Sequence, residues 1–314
     1  MPHVTFIHGL ANKPEAETLH PIWKRALAKG NDGLDLNDEG VTTSMVYWAD
    51  VLYPAPDTNI ADYESTEERV AEAVDGGGDA EIPVGATDAE RRFIEASRAE
   101  MTSKSDAEIK AAGAQSDAAT GTTKLERIPL PWFIKEKIMA ARVRDAYLYL
   151  FDKEFSPRPG STFKVRPEIR GRFIADLKAA PTGGPHVVVS HSMGTMIAYD
   201  CLKRVADCPR IDSLMTLGSP LGVDEVQDCY EPEWTRDNGY LEEKIASRWI
   251  NIFDRLDVVA GADPELAHDF RLRGAKRITD ISVTNDGAWR HAIVKYFARS
   301  EVRTTLRALL GLTN

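Results

Sequence analysis

One five-residue segment in this 314-residue chain has the residue types and setting to attack a carbonyl. Ser190-His191-Ser192-Met193-Gly194 follows the apolar run Val187-Val188-Val189 and opens an amphipathic stretch, Met193–Val205. A serine hydroxyl is a weak nucleophile and must be offered to a base without steric cover. A sharp strand-to-helix turn does this by pushing the side chain clear of both elements. Small residues two before and two after Ser192 let strand and helix approach closely. The helix that follows aims its first amides and its positive dipole end at charge developing near the serine. The spacing points to Ser192 as a nucleophile for acyl chemistry; the plainer reading of the same residues is a structural turn.

The segment resembles the nucleophile elbow G-x-S-x-G of the α/β-hydrolase superfamily, with Ser190 in place of the first glycine and Gly194 matching the second. The resemblance covers residues 1–50 and about 160–300. His8-Gly9-Leu10 follows an early apolar run, where the superfamily's HG sequence shapes a loop that donates one oxyanion amide. The resemblance therefore implies Leu10 N–H and Met193 N–H as oxyanion donors, with His8 and Gly9 shaping the loop. It implies a base after the last strand, a place that His291 holds in Asn285-Asp286-Gly287-Ala288-Trp289-Arg290-His291. The competitors are weaker: His186 begins a strand, His191 is expected to point away from the exposed side of the turn, and His268 lies in an apparent helix. The acid should follow the penultimate strand and hold the base in one tautomer.

Two aspartates offer themselves for that role, Asp254 at the strand end and Asp257 in the loop beyond. The D-x-x-D-x-V pattern of Asp254–Val259 resembles acid loops in which the second Asp acts, which favours Asp257; Asp254, Asp263 and Asp286 stay as alternatives. The chain order Ser192, Asp257, His291 is then the superfamily's order. Gly218-Ser219-Pro220 resembles a turn of the lipase-like and GPI-inositol-deacylase-like branches that helps floor the site, giving Ser219 a site-shaping part. A plain strand-ending turn explains it equally well.

The elements that must position these residues are read from periodicity. Short β-branched runs alternate with longer helical patterns, as βαβ units do. Strands are expected at His3–Ile7, Thr43–Trp48, His186–Ser190, Ile211–Leu217, Trp249–Phe253 and Ile278–Val283, and helices at Pro14–Lys29, Arg166–Ala180, Met193–Val205 and Ala292–Leu310. Near-continuous apolar strands suit a parallel, doubly wound sheet covered on both faces, here an α/β-hydrolase fold with a helical cap. The core is expected to span 1–56 and 131–314. Residues 57–130 break the rhythm and read as an acidic, mainly helical insertion, with a helix at Asp88–Ala112 and a loop at Gln115–Thr123. A second helix, Ile134–Phe151, follows; Trp132, Phe133, Ile134, Tyr147 and Tyr149 could line an acyl pocket or pack on the core.

Composition narrows the rest. Net charge is −10, and residues 57–127 alone hold 17 acidic against 8 basic side chains, a balance of −9. Such a surface repels phosphate backbones, so nucleic acid is not an expected partner. No apolar run approaches the roughly 20 residues that span a bilayer, and the first residues do not have the pattern of a secretory signal. Three cysteines, Cys201, Cys208 and Cys229, make a poor disulfide framework and read as buried thiols in a reducing, cytoplasmic setting. No metal or nucleotide motif is found, and no cofactor or metal is expected. The expectation is a serine hydrolase cleaving a small-molecule carboxylic ester. Thioester or amide cleavage, or acyl transfer by the same residues, is the alternative, and a non-catalytic binding module of the same fold is the rival from another class.

Overall fold

The computed structural model describes residues 1–60, 63, 85–99, 143–260, 263–286 and 290–312. Its strands in chain order are β1 (His3–Ile7), β2 (Thr42–Val46), β3 (Glu154–Arg158), β4 (Ser161–Lys164), β5 (His186–His191), β6 (Ile211–Leu217), β7 (Ile245–Asp254) and β8 (Thr279–Val283). Six of them form one sheet in the order β2-β1-β5-β6-β7-β8, and every neighbouring pair is parallel. β3 and β4 make a separate antiparallel hairpin.

Side chains alternate across a strand, and here both faces are dry. Val188, Leu214 and Trp249 point into one core with Ile169 and Phe173 of the helix Val165–Ala179 and Met196 and Ile197 of the helix Met193–Arg204. Val187, Val189, Met215 and Ile252 point into the other, against Leu19 and Trp23 of the helix Ala16–Ala28 and Phe297, Val302 and Leu306 near the C-terminus. Fully burying a side chain of this size contributes about 1.5–3 kcal/mol, which is why the strands read as unbroken apolar runs. The sheet is thus doubly wound, as its sequence pattern implies.

The chain runs outward from β1 to β2 and then crosses back to β5 on the other side of β1. The carboxyl ends of β1 and β5 therefore flank a topological switch point, where open α/β sheets form a crevice.

Several expected boundaries move. β7 begins at Ile245 instead of Trp249, because its first residues include the exposed Ala246, Ser247 and Arg248 and so lack an apolar signal. The stretch Ala292–Leu310, expected as one helix, is two, Ile293–Phe297 and Ser300–Leu310, separated by Arg299 in an extended conformation. The Arg299 guanidinium reaches back to Thr284 O (2.9 Å) and Asp286 Oδ2 (2.8 Å); without Gly or Pro at the break, periodicity runs straight through it. The β3–β4 hairpin was not foreseen, although Pro159-Gly160, with Gly160 at φ +77, is a turn signal.

Of the expected insertion, residues 88–99 are helical. Thr87 and Glu90 form a capping box there: Thr87 N–H donates to Glu90 Oε2 (2.7 Å), and Glu90 N–H donates to Thr87 Oγ1 (3.3 Å). Most of 57–84, the rest of Asp88–Ala112, Gln115–Thr123, and Trp132, Phe133 and Ile134 lie outside the described residues. The helix expected at Ile134–Phe151 is described from 143 and runs to 150. Tyr147 and Tyr149 pack within the core, and Tyr149 OH donates to Asp200 at 2.7 Å. Cys201 and Cys208 are buried, Cys229 is partly so, and all three are free thiols. Among the described residues no helix is long and apolar enough to cross a membrane.

Asp200 is a buried carboxylate on the helix Met193–Arg204, and the Arg170 fork binds it with Nε at 2.6 Å and Nη2 at 2.7 Å. Removing one partner of a buried pair strands the other's charge, so Asp200→Ala should lower unfolding stability by about 3 kcal/mol in urea titrations. At the amino ends of the strands, His186 bonds Thr5 Oγ1 at 3.0 Å, and burial, with His3 beside it, pushes its pKa down to about 4. An unfolded chain takes up this proton near pH 6.5 and the folded one does not. This contribution to stability is therefore full above about pH 6.5 and is lost as pH falls towards about 4. Urea titrations of His186→Gln across that range should show a flatter slope than the wild type.

Candidate active site

Ser192 sits between β5 and the helix Met193–Arg204 at φ 55, ψ −129, in a region that L-residues rarely adopt. Such a conformation costs of order 1–3 kcal/mol and persists only where the surroundings impose it. Ser192 N–H donates to Leu217 O at the end of β6 (3.0 Å), and Ser192 O accepts from Thr195 Oγ1 (2.7 Å). Thr195 Oγ1 also bonds Ser219 Oγ (2.8 Å), which accepts from Leu221 N–H (3.2 Å). The Gly218-Ser219-Pro220 turn is thereby locked onto the helix that follows Ser192. Ser190, where a glycine was expected by resemblance, is buried and donates to Met215 O at 3.1 Å, so its hydroxyl is satisfied within the sheet.

Close approach explains the glycines. A Cβ on Gly194 would lie 2.7 Å from both Ile7 O and His8 O, so the helix start passes directly over the end of β1. A Cβ on Gly9 would lie 2.5 Å from Ser192 Cβ. Gly218, at φ +54, leaves no room for a side chain either, because its Cβ would meet Asp257 Oδ2 at 2.8 Å and His291 Nδ1 at 3.1 Å.

His291 Nδ1 donates to the Asp257 carboxylate, 2.8 Å from Oδ2 and 2.9 Å from Oδ1. Burial alone would raise the Asp257 pKa, but His291, the Tyr296 hydroxyl and Val259 N–H together hold it well below the usual carboxylate range. The sequence left Asp254 as a rival, and the structure gives it other partners. It accepts from Leu256 N–H (2.8 Å), Asn285 N–H (2.6 Å) and Arg290 Nη1 (3.1 Å), so it anchors the loop that leads to His291. His191, adjacent to Ser192, donates from Nε2 to His291 O at 2.8 Å, with the two rings 4.6 Å apart. His291 is thus tied at its ring to the loop after β7 and at its main chain to the end of β5. Ser192, Asp257 and His291 all lie at the carboxyl edge of the sheet. Sequence reasoning missed the bond from His191 and the part of Tyr296, because neither has a local motif.

The loop after β1 is equally constrained. Trp48 N–H donates to His8 Nε2 (3.0 Å), so the neutral ring carries its proton on Nδ1, which donates to Gly9 O (2.9 Å). Burial, then Lys13, pushes His8 down to about 3, and the ring stays neutral near pH 7. In a trans peptide C=O and N–H point opposite ways, so Leu10 N–H faces away from His8. The next peptide is clamped at both ends, with Leu10 O accepting from Lys13 Nζ (2.6 Å) and Ala11 N–H donating to the buried Asp145 Oδ2 (3.1 Å). Among the described residues, neither Leu10 N–H nor Met193 N–H donates to a protein acceptor.

The remaining candidates lie elsewhere. His186 is at the opposite end of β5, bonded to Thr5. His268 bonds Asp263 Oδ2 (2.7 Å) and lies 3.6 Å from Asp269 Oδ2, and these three are the one group with metal-ligand geometry among the described residues. Spacing along the chain gave no sign of it. Arg236 Nε already neutralises Asp269 at 3.1 Å. A scan of the chain against protein-family models finds no match, and a search of curated proteins also finds none.

Gly9→Ala and Gly194→Ala should each lower unfolding stability by about 1–3 kcal/mol through forced overlap with rigid atoms. Gly171→Ala is the control: on the helix Val165–Ala179 its Cβ would meet nothing within 4 Å, and it should raise stability by up to about 1 kcal/mol. Chemical denaturation of the three variants tests this.

Proposed function

We propose that the protein is a serine hydrolase of the α/β-hydrolase type, cleaving carboxylic esters of small molecules. The observation that carries this reading is the bond from His291 Nδ1 to Asp257, on a residue whose main-chain carbonyl is held by His191, the neighbour of Ser192. Asp257 selects the tautomer whose Nε2 is a base. Ser192 Oγ attacks the acyl carbonyl while His291 Nε2 takes its proton. The oxyanion is met by Leu10 N–H and Met193 N–H at the N-terminus of a twelve-residue helix. The imidazolium then gives its proton to the leaving alcohol, and an acyl-Ser192 ester forms. A water molecule, deprotonated by His291, attacks that ester and releases the acid and free Ser192.

The preorganised peptides from Gly9 to Ala11 support the reading further, because fixed donors stabilise developing charge without reorganising. Thioesters, amides and acyl transfer to an alcohol use the same steps and differ only in the leaving group or acceptor.

A fluorophosphonate probe should label the wild type once, at Ser192, and should not label Ser192→Ala; equal labelling of both would end the proposal. With p-nitrophenyl esters of graded chain length, Ser192→Ala or His291→Ala should lower kcat by about 10⁴–10⁶-fold. Asp257→Asn should lower it by roughly 10⁴-fold with the fold intact by circular dichroism.

A further inference from the structure

The proposed reaction leaves one buried polar group unused that touches its carboxylate. Tyr296 lies in the short helix Ile293–Phe297, five residues after His291, and is fully buried. Its hydroxyl donates to Asp257 Oδ2 at 2.7 Å and accepts from the backbone N–H of Asp254 at 3.1 Å. A residue needed only to fill this space would be a phenylalanine, as its neighbour Phe297 is, packed against Phe6 and Trp23. A hydroxyl in a dry core costs free energy unless both its donor and acceptor functions are used. Both partners it finds belong to the acid segment. Asp254 N–H is the last peptide of β7, so the hydroxyl ties the Asp257 carboxylate to the rigid strand end.

We infer that Tyr296 is a positioning residue for the Asp257–His291 pair, its hydroxyl fixing the carboxylate against the imidazole and setting how much negative charge the imidazole meets. This rests on the hydrolase reading of the same site. The oxygens of the buried Asp257 accept from His291 Nδ1, Tyr296 OH and Val259 N–H. Removing the hydroxyl concentrates charge on the carboxylate and favours the protonated imidazole. The other ionisable groups on the elements packed here do not replace it. Asp254 is occupied by Arg290 and the loop amides, Lys13 is bonded to carbonyls after β1, and His191 on β5 is held neutral by burial. Lys295, beside Tyr296 on the same helix, is buried and present in wild type and variant alike.

The test compares wild type, Tyr296→Phe and Phe297→Leu, using one p-nitrophenyl ester across pH together with fluorophosphonate labelling. In Tyr296→Phe the acid limb of kcat/KM should move to higher pH by roughly half a unit or more. Plateau kcat should fall by about tenfold with KM unchanged, as expected when a base is less well aligned. Phe297→Leu should lose stability and keep the limb where it is. Replacing Tyr296 by 3-fluorotyrosine, whose hydroxyl is a stronger donor, should move the limb the opposite way and keeps the core filled if the Phe variant does not fold. An unmoved limb in Tyr296→Phe or in the fluorinated protein, with wild type labelled at Ser192, overturns this inference alone. Failure of the wild type to label at Ser192 overturns the hydrolase reading and this inference with it.

Discussion

The backbone of Ser192 is held where an L-residue is strained, at φ 55 and ψ −129, and much of the surrounding structure can be understood as what holds it there. The parallel register of β1, β5 and β6 brings Ile7, His191 and Leu217 to one edge. The amide of Ser192 closes onto Leu217 and its carbonyl onto Thr195. The absence of a Cβ at Gly9 and Gly194 lets β1, the turn and the helix pack on top of one another. A relaxed turn would need none of this crowding.

The same edge gathers polar side chains that a dry interior would exclude unless each were partnered. Their bonds run as a chain from one strand end to the next. Asp254 holds Asn285 and Arg290, Tyr296 joins Asp254 to Asp257, Asp257 holds His291, and His191 returns the chain to β5. Asp254 and His191, at the two ends of this chain, are themselves strand residues. Rigidity of this kind suits a site that must present groups to a reacting atom without rearranging.

A second network approaches the loop after β1 from the opposite side. Asp145, on the helical segment 143–150, accepts from Ala11 N–H and Tyr53 OH and is paired with Arg144. Through it this helical segment reaches the peptides that flank Leu10.

Much of the arrangement was legible in the chain itself. Val187-Val188-Val189 announced a strand buried on both faces, small residues around Ser192 announced a tight turn, and the order of Ser192, Asp257 and His291 could be read through the superfamily resemblance. Those are local facts, set by residue size, period and backbone freedom within a few positions. What only the tertiary structure decided depends on groups far apart in sequence: the Asp257–His291 bond itself, where resemblance had only favoured Asp257 over Asp254, His191 on the His291 carbonyl, and Tyr296 on Asp257. A hydrogen bond across 34 or 100 residues leaves no period in the chain, because it is made by the register of neighbouring strands and the path of the loops between them.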